Sequence, residues 1–564
     1  MRGIRTAILI AALIVGATPH IGRAYDALLS SSFDVDRPIN DSEAARFLQQ
    51  ATFGTTREDI AHLRAAGYEG WLTEQMAATP SLEMPYLEWF SQSGTPYQQE
   101  RVEAWFFHAL GAQSLIDPGT VHRDQLRQRM AFVLSQLFVI SDRLALIGRE
   151  PEATTSYYDL LISHAFGNYR DLLEAVTLHP AMGNYLSMFR NRAPVPELNI
   201  RPDENYAREI LQLFSIGLTH LHMDGSQVLV GGQTVPTYDQ DTVRGFAHAF
   251  TGWNWHACAN WDWCSPDWIA PMSPMPDYHD ADAKQLLVYD GVQLPGGVLP
   301  AGGTAESDLS AALDSVFYHP NVAPFVARHI IRQLVTSNPT PAYIGRAAAV
   351  FANDGTGVRG NLAAVVRSIL LDPEARYGQF QNPLTFGKPR EPLLKLTHLW
   401  RAMHASAASH RLKEWNPELS LYQAPLRAPS VFNFFSPTYS PVGELSGMGL
   451  VAPEFQLLTD SGLTAQTNEF GRDIYYAYMG NPSNDNDDIV LDLSEDMPFA
   501  AVAEALVLRY DTLLLGGTMS VTLHDVLIER LSAITPATSS DYLRERVQEA
   551  LYLIFVSPDY AVQQ

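Results

Sequence analysis

Cysteine is nearly absent from the chain, since Cys258 and Cys264 are the only two among its 564 residues. One pair leaves no orphan thiol, so an oxidising compartment predicts a local disulfide between them. A cysteine metal pair is the weaker alternative, because five intervening residues is not the usual spacing of a zinc knuckle. The signature of covalent haem attachment, C-x-x-C-H, is missing.

Charge is scarce too, and basic charge above all. Asp and Glu number 62 against 38 Lys and Arg, which gives a formal net charge of −24 and a pI near 5.0. Nucleic acids and anionic membrane surfaces require a basic face on the protein that binds them. The sequence therefore argues against both as partners.

Long apolar runs are missing except at the start of the chain. Residues 7–15 are continuously apolar, two arginines precede them, and Gly-Arg-Ala at 22–24 offers small residues to a signal peptidase. The run is too short to span a bilayer well. We expect a cleaved signal peptide over 1–24, a linker over 25–40, and a soluble periplasmic or secreted protein without stable membrane insertion. An uncleaved anchor is the alternative.

Two catalytic signatures are also missing. The chain has no G-x-S-x-G nucleophile elbow and no P-loop. Candidates for its chemistry therefore come from acidic, basic, histidine and aromatic side chains.

The composition is that of a globular protein, with 46% hydrophobic and 10% aromatic residues. Helix capping patterns recur, such as Thr56 with Asp59 before an apolar stretch that stops at Gly67. The patterns predict a mainly α fold, a large irregular multi-helix array with one or two small inserted β-hairpins. We expect one helical domain over 41–564, with a loop and hairpin insert over 218–303. The longer helices are expected at 98–113, 121–140, 203–217, 239–251, 305–318, 320–336, 341–353, 361–372, 390–404, 455–478 and 541–556.

The densest charged stretch in the middle of the chain is 203–217. On a helix its polar side chains share one face and its apolar side chains the other. This face is either a solvated surface with a Glu204–Arg208 ion pair, or a cleft wall where Glu204 and Glu209 act as acid and base. The polar face comprises Glu204, Asn205, Arg208, Glu209, Gln212 and Ser215.

A second polar stripe follows on the predicted helix 239–251, for which Asp239 suits the N-cap position. If the intervening hairpin makes the two helices antiparallel, Arg244 and His248 come near the first polar face. The candidate catalytic residues are Glu204, Arg208, Glu209 and His248, and the candidate substrate-binding residues are Asn205, Arg244, Trp253 and Trp255.

Histidines and carboxylates around these helices are candidate ligands for a divalent metal cofactor. Their spacing fits no named metal site, and loop histidines are the simpler interpretation. The candidate ligands are His220, His222, Asp224, His279 and Asp280.

An aromatic loop over 253–280 carries both cysteines and several tryptophans. Exposed indole rings stack on sugar rings, whereas buried ones pack in the core, and the sequence leaves the two roles open. The tryptophans are Trp253, Trp255, Trp261, Trp263 and Trp268.

Several stretches are specific in combination. They are Phe47-Leu48, Ala51-Thr52-Phe53-Gly54, Gly67-Tyr68, Trp71-Leu72, Glu74-Gln75, Glu204-Asn205-Tyr206-Ala207-Arg208-Glu209, Leu213-Phe214, Gly217, Asp241-Thr242-Val243, Phe250-Thr251-Gly252-Trp253, His319-Pro320-Asn321, Thr336-Ser337-Asn338-Pro339, Gly357-Val358-Arg359-Gly360, Pro429-Ser430-Val431-Phe432-Asn433, Leu551-Tyr552 and Ser557-Pro558. Together they resemble the bacterial domain-of-unknown-function 1800 family over nearly all of the mature chain. The resemblance implies an exported, mainly helical protein, often encoded beside a second exported protein of the sulfatase-like superfamily. It implies no reaction and transfers no catalytic residue.

Two functions of different classes follow. The first is carboxylate-dependent hydrolysis of a glycan or other extracellular polymer, in a site between 203–217 and 239–251 beneath the loop 253–280. The second is a non-enzymatic role in secretion, surface assembly or binding, in which the polar face is an internal salt-bridge network. An open cleft beside Glu204 and Glu209 favours the enzyme, and a dry, fully paired cluster favours the second role.

Overall fold

Helices make up most of the computed structural model, which describes residues 37–112, 115–116, 121–414, 416–476 and 486–564. The predicted signal peptide and most of the predicted linker lie outside these residues. Every described strand is two residues long, so the predicted mainly α fold with small β inserts is confirmed. None of the described helices is long and apolar enough to cross a membrane. The α-helices are Asp41–Ala51, Arg57–Ala66, Tyr68–Ala77, Met84–Ser91, Gln98–Leu110, Gln125–Ser135, Ala145–Gly148, Pro151–His164, Tyr169–Leu178, Pro180–Tyr185, Asn205–Gln212, Gln240–Ala249, Ala305–Phe317, Val322–Leu334, Pro341–Ala352, Leu362–Leu370, Pro373–Gln381, Pro392–Ala402, Pro417–Ser420, Glu444–Gly447, Asp460–Tyr475, Ala503–Tyr510, Val521–Ala533, Tyr542–Phe555 and Pro558–Ala561.

The strands form separate antiparallel pairs. The sequence predicts one or two small hairpins, and the described chain has four such pairs. The pairs are Leu229–Val230 with Gln233–Thr234, Lys284–Gln285 with Val298–Leu299, Trp253–Asn254 with Ser273–Pro274, and Lys388–Pro389 with Val562–Gln563.

One continuous apolar core includes side chains from the first and last helices, such as Phe47 and Tyr560. A buried chain of hydrogen bonds also links the N-terminal and C-terminal parts of the described protein. Thr55 Oγ1 donates to Leu513 O at 2.6 Å and lies 2.9 Å from His398 Nε2, while Tyr560 Oη lies 2.9 Å from His398 Nδ1. Burial holds the pKa of His398 well below its ordinary value, so this ring is neutral. The single domain over 41–564 stays a prediction.

A tight corner near the start of the chain positions the site described below. Thr56 caps the helix Arg57–Ala66 by accepting a hydrogen bond from the Asp59 amide at 3.1 Å. Gly67 stops the helix with φ 79°, and the helix Tyr68–Ala77 begins at the next residue. The helix starts and stops where the capping pattern predicts, and the two helices pack side by side.

The predicted helix 203–217 is wrong at its C-terminal end, because the helix is Asn205–Gln212. After it, Phe214 and Ile216 turn into the core with no exposed surface, and Gly217 has φ 72°. The apolar pattern continues past the helix because the following turn is buried too. The second helix is Gln240–Ala249, with Asp239 as its N-cap, as predicted.

Candidate functional site

The two polar helices pack against each other, but most of their polar groups form local pairs. Glu204 and Arg208 form a partly exposed ion pair at 3.1 Å, and Gln240 Nε2 donates to Glu204 Oε2 at 2.7 Å. Asn205 is exposed at the start of its helix. This arrangement matches the solvated surface that was the alternative to a cleft wall.

Glu209 follows Asn205 by one helical turn but is buried. It is 6% exposed, and its Oε2 is buried without a hydrogen-bond partner among the described residues. Burial raises the pKa of Glu209, although Arg208 opposes the shift. Glu204 and Glu209 are therefore in different surroundings, one in contact with solvent and the other with the core.

His248 and Arg244 have partners of their own. The His248 ring forms a short hydrogen bond from Nδ1 to the Asp280 carboxylate. Burial raises the pKa of Asp280, but the hydrogen bond from His248 and further polar contacts bring it below its ordinary value. Arg244 is exposed and pairs with Asp241 at 2.9 Å. Neither side chain has a described polar contact with Glu204, Arg208 or Glu209.

The candidate metal ligand His279 belongs to a buried ion network. Its Nε2 lies 3.1 Å from Asp308 Oδ2, and its Nδ1 lies 3.0 Å from Thr251 O. Lys284 Nζ also donates to Asp308 Oδ2, at 2.6 Å. Both ring nitrogens of His279 therefore have protein partners, which gives this side chain a structural role.

The other metal candidates are dispersed on loops. His220 stacks on His319, and Asp224 accepts hydrogen bonds from the Ser226 amide and hydroxyl. His222 is exposed in the same turn. Among the described residues, none of the predicted ligands belongs to a group of three with ligand atoms close enough for one ion.

The aromatic loop is mainly a packing element. Cys258 and Cys264 form the predicted disulfide. Trp253 and Trp255 are buried, and Trp255 packs edge-on against Trp268 with ring centres 4.8 Å apart. Only Trp263, at 80%, is exposed among the five tryptophans of this loop.

A cleft of about 980 Å³ opens elsewhere, at the corner between the helices Arg57–Ala66 and Tyr68–Ala77. Its size is at the upper end of the range for small-molecule sites. The opposite wall is the end of the helix Pro392–Ala402 and the loop after it. Polar lining residues are Thr52, Thr56, Glu58, Asp59, His62, Glu74, Gln75, His122, Arg123, Gln125, Arg401, His404, Ser406 and His410.

A histidine–carboxylate dyad stands on one wall of this cleft. His62 Nε2 lies 2.6 Å from Glu74 Oε2, and both side chains are about half exposed. Glu58 is one helical turn before His62, so the two share a face of the same helix. Arg401 fixes the floor, since it donates to Asp59 at 2.7 Å and to Leu110 O at 2.8 Å.

Glu58, His404 and Glu495 form a second group at the edge of the cleft. A ligand atom from each lies within 4.8 Å of the others, the one such group found among the described His, Cys, Asp and Glu side chains. His404 Nε2 is 3.8 Å from Glu58 Oε2. Burial raises the pKa of Glu58, but hydrogen bonds and the His404 ring lower it by more, so this carboxyl is anionic.

Residues 46–562 match the family described as "Protein of unknown function (DUF1800)". The chain belongs to the DUF1800 family. No curated protein and no solved structure matches it. The DUF1800 match confirms the resemblance noted in the sequence and assigns no reaction.

Sequence reasoning missed the cleft in this DUF1800 protein. Glu58 and His62 had a local signal, because their i, i+4 spacing lies inside a helix whose cap was recognised. Glu74 has a weaker signal, as a residue of the next short helix. His404 and Glu495 come from distant segments, so their meeting is a property of the tertiary fold.

Proposed function

We propose that the protein is an extracytoplasmic hydrolase, with its site in the cleft beside His62. The observation that carries this proposal is the His62–Glu74 dyad in an open, polar cleft. Its site differs from the helix pair that sequence reasoning favoured. The predicted export is part of the proposal, and a sulfatase-like exported partner stays a prediction.

The dyad has the arrangement of a general base with its orienting carboxylate. In the neutral ring, Nε2–H donates to Glu74, which leaves the lone pair of Nδ1 able to accept a proton. The carboxylate also stabilises the imidazolium that forms after proton uptake. His62 is therefore the proposed base, and Glu74 is a positioning residue.

This base suits hydrolysis of an ester or amide bond. The water oxygen bonds to the carbonyl carbon while His62 Nδ1 takes a water proton. The carbon–oxygen or carbon–nitrogen bond then breaks, and Nδ1 returns that proton to the leaving atom. The width and polar lining of the cleft favour a segment of a polar polymer, such as an acylated glycan or a peptide.

Steady-state rates of the exported protein on a panel of ester- and amide-linked polymers test the proposal. We expect His62→Gln to lower kcat by about 10²- to 10⁴-fold, the usual contribution of general acid–base catalysis. Glu74→Gln should lower kcat less and shift the pH profile, because the base loses its anionic partner. Both side chains are about half exposed, so thermal stability should stay within about 0.5 kcal/mol.

A matched control is available on another face of the protein. His524 pairs with Glu504 at 3.2 Å, and the two side chains, which lie outside the cleft, are 34% and 53% exposed. His524→Gln should leave kcat unchanged. Absence of turnover across the panel, or equal losses in His62→Gln and His524→Gln, would contradict the proposal.

We also propose a structural role for the helix pair that bears the family signature. The Glu204–Arg208 and His248–Asp280 pairs support this role. Glu204→Gln should therefore leave kcat unchanged. A loss of turnover with intact folding would instead favour a catalytic role for the helix Asn205–Gln212.

A further inference from the structure

Three side chains at the edge of the cleft offer ligands of the kinds that a transition metal prefers. We infer that Glu58, His404 and Glu495 form a binding site for one divalent ion, Zn²⁺ or Mn²⁺. One imidazole nitrogen and two carboxylates form a mixed donor set, which suits these ions better than Ca²⁺ or Mg²⁺. All three ligand atoms lie within 4.8 Å of one another.

The spacing of the first two ligands supports a shared ion. His404 Nε2 and Glu58 Oε2 are 3.8 Å apart, which is too long for a hydrogen bond. Two ligands at about 2.1 Å from a tetrahedral ion are separated by roughly 3.4 Å. These side chains are 41% and 63% exposed, so small rotations can close the remaining gap.

The surrounding fold holds the three ligands at this edge. Asp492 N donates to Met403 O at 2.8 Å, which fixes the segment of Glu495 beside His404. Arg57 pairs with Glu495 at 3.0 Å and with buried Asp496, next along the chain. Glu495 is therefore anchored to the helix that carries Glu58.

The local charge favours a cation. Arg57 and Arg509 both pair with Glu495, at 3.0 Å and 3.8 Å, so the negative charge of Glu58 has no arginine partner among the described ion pairs. His404 follows the C-terminal end of the helix Pro392–Ala402, where the helix dipole is negative. A divalent ion would neutralise this excess.

The site also has a consequence for the cleft. Three protein ligands leave a position open for water or for a substrate oxygen, as in catalytic zinc sites. Glu58 is one helical turn from His62, so a carbonyl polarised by the ion would lie near the base. This catalytic consequence rests on the proposed hydrolase, whereas binding of the ion is measured without substrate.

Calorimetric titration of the chelator-stripped, exported protein with ZnCl₂, MnCl₂ and CaCl₂ tests the inference. We expect one Zn²⁺ or Mn²⁺ per chain and weaker binding of Ca²⁺. His404→Gln and Glu58→Gln should each raise the Kd by more than about tenfold, since even the loss of a residue that only supports a ligand costs this much. Thermal melts without metal should coincide with those of the unchanged protein.

His524→Gln is the matched control, because His524 contacts two carboxylates, Glu504 and Asp525, through its two different nitrogens. It cannot present three ligands to one ion, so this variant should leave the Kd unchanged. Absence of Zn²⁺ and Mn²⁺ binding, tighter Ca²⁺ binding, or an unchanged Kd in His404→Gln would overturn the inference. Metal binding with full activity in His62→Gln would instead reject the hydrolase and leave the metal site standing.

Discussion

Removal of the Asp308 carboxylate should strongly destabilise the fold. Asp308 and Lys284 are each 1% exposed, and the carboxylate accepts from Lys284 Nζ at 2.6 Å and lies 3.1 Å from His279 Nε2. Two hydrogen bonds to a charged group contribute about 1.5–3 kcal/mol each. Breaking one side of a buried ion pair costs about 3–5 kcal/mol, because the other charge stays buried without compensation. We expect Asp308→Ala to lower the free energy of unfolding by about 3–5 kcal/mol.

Urea unfolding followed by tryptophan fluorescence measures this change. Asp314→Ala is the matched control, since Asp314 lies on the same helix but its side chain is 45% exposed in its pair with Arg170. Its loss should cost less than about 1 kcal/mol. The double variant Asp308→Ala with Lys284→Met should recover about 1 kcal/mol or more, because it also removes the orphaned ammonium.

A loss below about 1 kcal/mol in Asp308→Ala, or no recovery in the double variant, would refute the reasoning. Such a result would also argue against a structural role for His279, which would again be a candidate metal ligand.

Two further predictions concern residues that the sequence singled out. Since burial raises the pKa of Glu209, its ionisation costs stability as the pH rises from its unfolded pKa of about 4.3 through the folded value. In urea unfolding, Glu209→Gln should flatten this fall and raise stability at neutral pH. The control Glu204→Gln should change stability by less than about 0.5 kcal/mol, and a destabilised Glu209→Gln would contradict this prediction. Trp255→Ala should cost about 3–5 kcal/mol in thermal unfolding, while exposed Trp263→Ala should cost under about 0.5 kcal/mol. Equal effects of the two tryptophan changes would show that the loop does not pack as described.

Local signals predicted much of the fold. Thr56 and Asp239 were recognised as helix caps from residue type alone, and both accept the expected backbone hydrogen bonds. The end of the helix at Gln212 could not be predicted in the same way. Leu213 and Phe214 continue the apolar pattern, and a buried turn has no periodicity that separates it from a helix.

The candidate site was less predictable, for a different reason. Helical spacing can place Glu58 beside His62, but it cannot bring Glu495 to the same edge. That approach depends on the pairs that Arg57 makes with Glu495 and Asp496. A single sequence carries no signal for such long-range pairs.

A dense run of charge in this chain is not by itself a sign of chemistry, because the interior uses charge for structure. Buried ions require partners. Lys388 is 1% exposed and lies 3.3 Å from Glu454, and Lys284 makes the equivalent pair with Asp308. A half-exposed dyad needs no such support, and His62 with Glu74 is free to bind protons and ligands. In a chain with only 18% charged residues, the cleft that holds this dyad is therefore our proposed place for a reaction.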